Sequence, residues 1–169
     1  GLLHETAIDL AAPLQSYDLQ TAEELVDLAQ QHLLSEGVTT AHDAGALQID
    51  LEAQWNMARR GDLAMRLYSM VYASDEGALS EWLARGPLIN AGDAKLTVRS
   101  IKVQADGALG SRTAWLHAPY TDAPNTSGVL TYDLDALSAL IRDSREDNWQ
   151  INVHAIGDRA NSEVLDVFA

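Results

Sequence analysis

The sequence predicts an α/β domain built on a parallel sheet, and three observations support that prediction. Short apolar, β-branched stretches alternate with longer stretches of helical periodicity over most of the chain. Glycines stand where helical stretches stop, at Gly37, Gly61 and Gly86. Polar residues gather at the C-terminal ends of three strands, as His42 and Asp43, as Lys102 to Asp106, and as His154 to Asp158. In parallel α/β folds that edge is where sites are built.

The elements follow in order. From Thr21, "TAEELVDLAQQHLLSEG" reads as a helix. Thr21 and Glu24 have capping-box spacing, Leu25, Leu28, Ala29 and Leu33 form one apolar face, and Gly37 allows a left-handed stop. "VTTAHDAG" (38–45) is a strand closed by Gly45. A helix over Ile49 to Arg60 precedes the apolar strand "AMRLYSMVYA" (64–73), and a helix over Glu76 to Arg85 leads to the strand that contains Lys102. A loop over roughly 107–130 follows. Asp133 caps a helix reaching about Glu146, with Leu134, Leu137, Leu140 and Ile141 on one face. "QINVHAIGDRAN" (150–161) is a strand that ends at His154 and turns through Gly157 into a last helix.

With 169 residues and 47% apolar content, the chain can bury one core, and no repeat or linker divides it, so residues 1–169 read as a single segment of one domain. Its net charge of -14, with only eleven scattered Lys and Arg residues, argues against a nucleic-acid or anionic-membrane partner. There is no cysteine, so a metal here must use histidine, carboxylate or a modified side chain. No apolar run approaches the roughly 20 residues of a membrane span and no signal peptide opens the sequence, which leaves the compartment open between cytoplasm and periplasm. Both ends fall within amphipathic text, and the chain reads as an internal piece of a longer protein.

A lysine inside an apolar strand is costly, because its charged form loses hydration unless something pairs with it, neutralises it or modifies it. Lys102 has three readings: a snorkelling surface lysine, a Schiff-base or general-base amine of lowered pKa, or a lysine carbamylated by carbon dioxide into a carboxylate ligand. His154, at a strand end beside Ala155 and Gly157, is either a neutral metal ligand or a core histidine bonded to a carbonyl. The loop "DGALGSRTAW" either holds an anionic substrate group through backbone N–H groups such as that of Gly107 together with Arg112, or is a glycine-rich connection. It lacks the lysine and spacing of a phosphate-binding loop. Trp115 belongs among aromatics that line a core or pocket. His42 and Asp43 read as local structure, and His4, His32 and His117 as residues that hold no metal.

In that order, "GVTTAHDAG", "IKVQADGALGSRTAWLHAPY" and "INVHAIGDRAN" resemble the amidohydrolase superfamily, in its amidohydrolase-3, YtcJ-like branch of metal-dependent hydrolases. The resemblance extends over essentially the whole chain, "GLLHETA" included. It implies a (β/α)8 TIM barrel of the metal-dependent hydrolase type, present here in part, as about strands two to five. It also implies one or two divalent ions, usually zinc, that activate water to hydrolyse an amide-like, non-peptide C–N bond of a small molecule. By resemblance Lys102 matches the lysine ending the fourth barrel strand, carbamylated in many relatives, and His154 matches the metal-binding histidine ending the fifth. Asp106, Gly107, Arg112 and Trp115 then stand near substrate, and Asp158 is the carboxylate that orients a ligand.

The family's first-strand histidine pair, sixth-strand histidine and eighth-strand aspartate have no counterpart in this sequence. No residue of this chain is therefore assigned as catalytic, and the chain alone is expected to be inactive. The rival reading is a non-catalytic half-barrel that binds a partner or self-associates through open sheet edges, leaving Val103, Ile151 and Val153 partly wet.

Overall fold

The structure is a computed structural model that describes residues 16–169. His4 and the "GLLHETA" stretch lie outside the described residues. The chain divides into two compact units. One holds residues 17–102 and 146–151, the other residues 103–145 and 152–169.

In the first unit, α1 (Leu19–Ser35) starts before Thr21, because Asp18 is the cap and its carboxylate accepts the Thr21 N–H at 2.8 Å. Gly37, at φ +81°, follows the helix end. The buried side of α1 is not the expected leucine face. Leu25 and Leu28 are 49% and 61% exposed, while Ala22 and Gln30 are buried. Gln30 donates to the Asp62 carbonyl and accepts from the Ala64 N–H, so its amide ties α1 to the segment entering the second strand.

β1 (Thr40–Ala46), α2 (Gln48–Arg60), β2 (Arg66–Tyr72) and α3 (Glu76–Arg85) fall where the sequence puts them, to within two residues. Gly61, in the left-handed region at φ +82°, ends α2. β3 (Leu88–Asn90) and the four-residue turn α4 (Ala91–Ala94) have no counterpart in the sequence reading. β3 pairs antiparallel with β4 (Leu96–Gln104) through Leu88 and Val98, and three residues are too few to show a period. β1 runs parallel to β2, and β2 parallel to β4, in the order β1-β2-β4-β3.

Two irregularities shape this sheet. Ala44 and Ala46 oppose Met70 and Val71, which makes Gly45, at φ +140°, the extra residue of β1. Ser69 and Met70 oppose Val98 and Ser100, which makes Arg99 the extra residue of β4. Arg99 Nε donates to the Asn148 carbonyl at 3.1 Å. On one face Leu96, Val98, Ser69 and Val71 are buried, and Ser69 donates to Gln54 of α2. The other face carries Tyr68, Met70, Tyr72, Ser100 and Lys102.

In the second unit the chain runs from Val103 through a long loop to α5 (Leu134–Ser144), and again from Asn152 within β5 (Gln150–His154) to α6 (Asp158–Phe168). β5 pairs with β4; in this unit the Ala105 N–H donates to the His154 carbonyl at 2.9 Å. Asp133 caps α5 by accepting the Ala136 N–H, as expected from the sequence. The loop is held by its own bonds, among them Leu116 N–H to Ser127, Thr131 N–H to Ala105 and Tyr120 Oη to Ala114. Val103 is fully buried, against the expectation of a wet strand residue, whereas Val153 is half-buried.

Candidate functional site

Lys102 sits on β4 with two further strand residues beyond it, so it is near the strand's end without closing it. Tyr72 is its Cα partner across the β2–β4 ladder, and Gly45 stands close by. A Cβ built on Gly45 would lie 3.6 Å from Tyr72 Cδ2 and 4.0 Å from Lys102 Cγ, so the β1 bulge gives the lysine stem and the tyrosine ring their room. Burial pushes the Lys102 amine below its ordinary pKa. Among the described residues its ammonium has no hydrogen-bond or ion-pair partner. It is a half-buried, unpaired amine whose charged form burial disfavours.

In the other unit, the residues after β4 and after β5 converge on one carboxylate. Asp106 is 0% exposed. Its Oδ1 accepts the Ile156 N–H at 2.9 Å, and its Oδ2 accepts the N–H groups of Trp115 at 2.9 Å and Gly157 at 2.7 Å. The sequence reading set Asp106 beside substrate; the structure encloses it and occupies its oxygens with backbone. The signal for this is faint in sequence, since a buried carboxylate and a loop carboxylate are written alike.

His154 is 27% exposed at its side chain. Its Nε2 lies 3.2 Å from the Gly107 carbonyl and 3.7 Å from Asp106 Oδ1. A carbonyl can only accept, so the Gly107 bond places the ring proton on Nε2 and leaves Nδ1 as the lone-pair nitrogen of the neutral ring. Of its two readings, the structure shows the carbonyl bond, which leaves the other nitrogen of the ring without a partner in that bond.

The remaining site candidates have partners of their own. Asp158 accepts the N–H groups of His117 and Arg159, which hold its carboxyl below the usual range. Asp158 thus faces the loop, and the groups behind His154 are Gly107 and Asp106. Arg112, a non-glycine residue at φ +57°, pairs with Asp122 at 2.9 Å on the surface. Gly107 is buried and donates its N–H to the Thr113 carbonyl. Trp115 is half-buried, with the Arg159 guanidinium 4.3 Å from its ring centre. Sequence reasoning did not single out Arg159; its distance from Trp115 along the chain hides the pairing. His42 stacks on Tyr68 at 4.9 Å, and Asp43 accepts from Gln54, in keeping with local roles.

Among the described residues, no group of three or more His, Cys, Asp or Glu side chains is arranged to hold a metal ion. Each unit by itself holds one donor of suitable chemistry: the Lys102 amine, once converted to a carboxylate, in the first, and His154 Nδ1 in the second. The chemistry of each fits a divalent ion, with further ligands needed to complete a site.

The chain is 35% identical to YtcJ of Bacillus subtilis (strain 168), a candidate amidohydrolase by its name, over 98% of this chain and 31% of that protein. It is 26% identical to the protein LONG AFTER FAR-RED 3 of Arabidopsis thaliana, over 99% of this chain and 30% of that one. Crystal structures of uncharacterized metal-dependent hydrolases from Pyrococcus horikoshii OT3 and Pyrococcus furiosus share its fold, with TM-scores of 0.82 and 0.79 and identities of 29% and 30%. These matches cover 97% and 98% of this chain, and 34% and 35% of theirs. The chain thus spans about a third of the length of these relatives, and its α/β fold is consistent with part of a TIM barrel. The amidohydrolase family model matches residues 1–169. With that match over its whole length, the chain belongs to the amidohydrolase family, in the amidohydrolase-3, YtcJ-like branch.

Proposed function

We propose that the protein is, or forms part of, a metal-dependent hydrolase that cleaves an amide-like, non-peptide C–N bond of a small molecule. Carbamylated Lys102 and His154 Nδ1 each act as a donor to a divalent ion, one or two ions in all, with zinc the metal the family resemblance suggests. The observation that supports this most directly is the unpaired, half-buried Lys102 amine, whose pKa burial lowers. Neutral amine is the form that attacks carbon dioxide. In that step the amine nitrogen forms a bond to the carbon of carbon dioxide and gives up a proton to water, leaving a carbamate anion.

A bound divalent ion supplies Lewis acidity and lowers the pKa of water. The chain's own part is to present donors and shape. Gly107 fixes the His154 tautomer, Tyr72 and Gly45 flank the Lys102 stem, and Trp115 with Arg112 offers a ring and a cation to a small substrate. The test is carbon-13 NMR of the full-length protein in labelled bicarbonate, with zinc analysis and a screen of amides, formamides and cyclic ureas. A carbamate signal that disappears in Lys102→Ala supports the reading. No carbamate, no zinc and no turnover would refute it.

The exposed leucines of α1 and the exposed Leu165 and Phe168 of α6 favour a second reading, self-association without catalysis. Light scattering that finds a monomer at all concentrations removes it.

A further inference from the structure

We infer that Asp106 is a positioning residue: its buried carboxylate draws the Trp115, Ile156 and Gly157 N–H groups together and backs the Gly107–His154 contact, so that His154 is held as one tautomer. The inference rests on the proposed role of His154 as a metal donor, and it can fail independently of that role.

A carboxylate with no exposure is costly unless its lone pairs are engaged, and three charge-assisted backbone bonds meet that need here. No lysine or arginine side chain among the described residues bonds to it, and the one basic side chain near it is His154, at 3.7 Å. Two of the three donors come from a place that matters for that imidazole. Ile156 and Gly157 form the turn directly after His154, and Gly107, whose carbonyl receives Nε2–H, directly follows Asp106. One carboxylate therefore fixes both ends of the Nε2–Gly107 contact.

The crowding around it points the same way. Trp115 and Gly157 bond to the same oxygen, which brings their backbones so close that a Cβ on Gly157 would lie 1.8 Å from the Trp115 carbonyl oxygen. Orienting groups of this kind, behind a metal-binding imidazole, set its tautomer and ring angle.

The experiment compares wild type with Asp106→Asn, His154→Ala and Thr131→Val, the last removing a loop bond from Thr131 Oγ1 to the Gln104 carbonyl that does not involve the carboxylate. The ring-nitrogen NMR shifts of His154, read in metal-free protein with a neutral imidazole, should show a single Nε2–H tautomer in wild type and in Thr131→Val, and a mixture in Asp106→Asn. Amide exchange at Trp115, Ile156 and Gly157 should quicken by about tenfold or more in Asp106→Asn, and affinity for zinc ion alone should fall by about 10- to 100-fold.

A wild-type His154 with its proton on Nδ1 overturns the inference even if Asp106→Asn fails to fold. An Asp106→Asn protein with unchanged tautomer and zinc affinity also overturns it. Zinc affinity untouched by His154→Ala sinks the metal reading instead, while a tautomer set by Asp106 would still stand.

Discussion

Tyr72 and Lys102 stand opposite each other on β2 and β4, and the Ala73 N–H just beyond Tyr72 donates to the Lys102 carbonyl at 2.9 Å. The backbone of Lys102 is fixed while its amine stays unpaired, which suits a side chain that is to be chemically modified. In the complete enzyme, Lys102→Ala is expected to lower turnover by about 100-fold or more, on the scale of losing a directly acting group. Acetate or propionate should restore part of it, since a small carboxylate fits the space of a carbamate. Steady-state rates with and without the acid check this, and full activity of the alanine variant would reduce Lys102 to a structural residue.

The same lysine predicts a pH dependence of stability. Its folded-state pKa lies below the ordinary lysine value of 10.5, so between the two the unfolded chain binds more protons than the folded one. The charged lysine's cost is fully present below the folded pKa and is relieved as pH rises through that window. Stability measured by urea unfolding in carbon-dioxide-free buffer should gain this increment between the folded pKa and 10.5. The increment should vanish in Lys102→Met, and equal pH profiles for the two proteins would contradict it.

Gly157→Ala should be among the most damaging single changes in the chain. The added methyl would meet the Trp115 carbonyl oxygen at 1.8 Å, and backbone on both sides leaves nothing flexible to yield. A loss of about 3 kcal/mol or more is expected, at the upper end of overpacking. Thermal unfolding of the purified variant measures it; a melting point near wild type would show that the turn relaxes easily.

Arg112 separates a surface role from a substrate role. Its ion pair with Asp122 is exposed on both sides, so Asp122→Asn should leave the melting point close to that of wild type. If Arg112 meets an anionic substrate group, Arg112→Ala raises KM with little change in kcat. Unchanged KM across the substrate panel would leave Arg112 as a surface cation.

Local rules explain why so much of the fold was readable. Asp133 capping α5, Gly61 ending α2 and the span of α3 each depend on neighbours a few residues apart. The leucine stripe of α1 is not its buried side, because periodicity says which residues share a face and not which face packs against the neighbouring helix. Gln30 was buried instead, through bonds to Asp62 and Ala64 more than thirty positions away. The site divided in the same manner. Lys102 and His154 stood out as costly or reactive residues at strand ends, whereas the enclosure of Asp106 needs Trp115, Ile156 and Gly157 together in space.

By itself the sequence determined the alternation of helices and parallel strands and the family, and it put forward Lys102 and His154 as residues whose chemistry would suit a metal. Only the tertiary structure decided which way Lys102 faces. Counted in steps of two from Leu96 and Val98, Lys102 belongs to the buried face of β4, where its charge would be fully enclosed. Arg99 is the extra residue that shifts the register between Val98 and Ser100, and it moves Lys102 to the face of Tyr72. A strand keeps strict alternation only while its partner matches it residue for residue, and here β2 pairs Ser69 with Val98 but Met70 with Ser100.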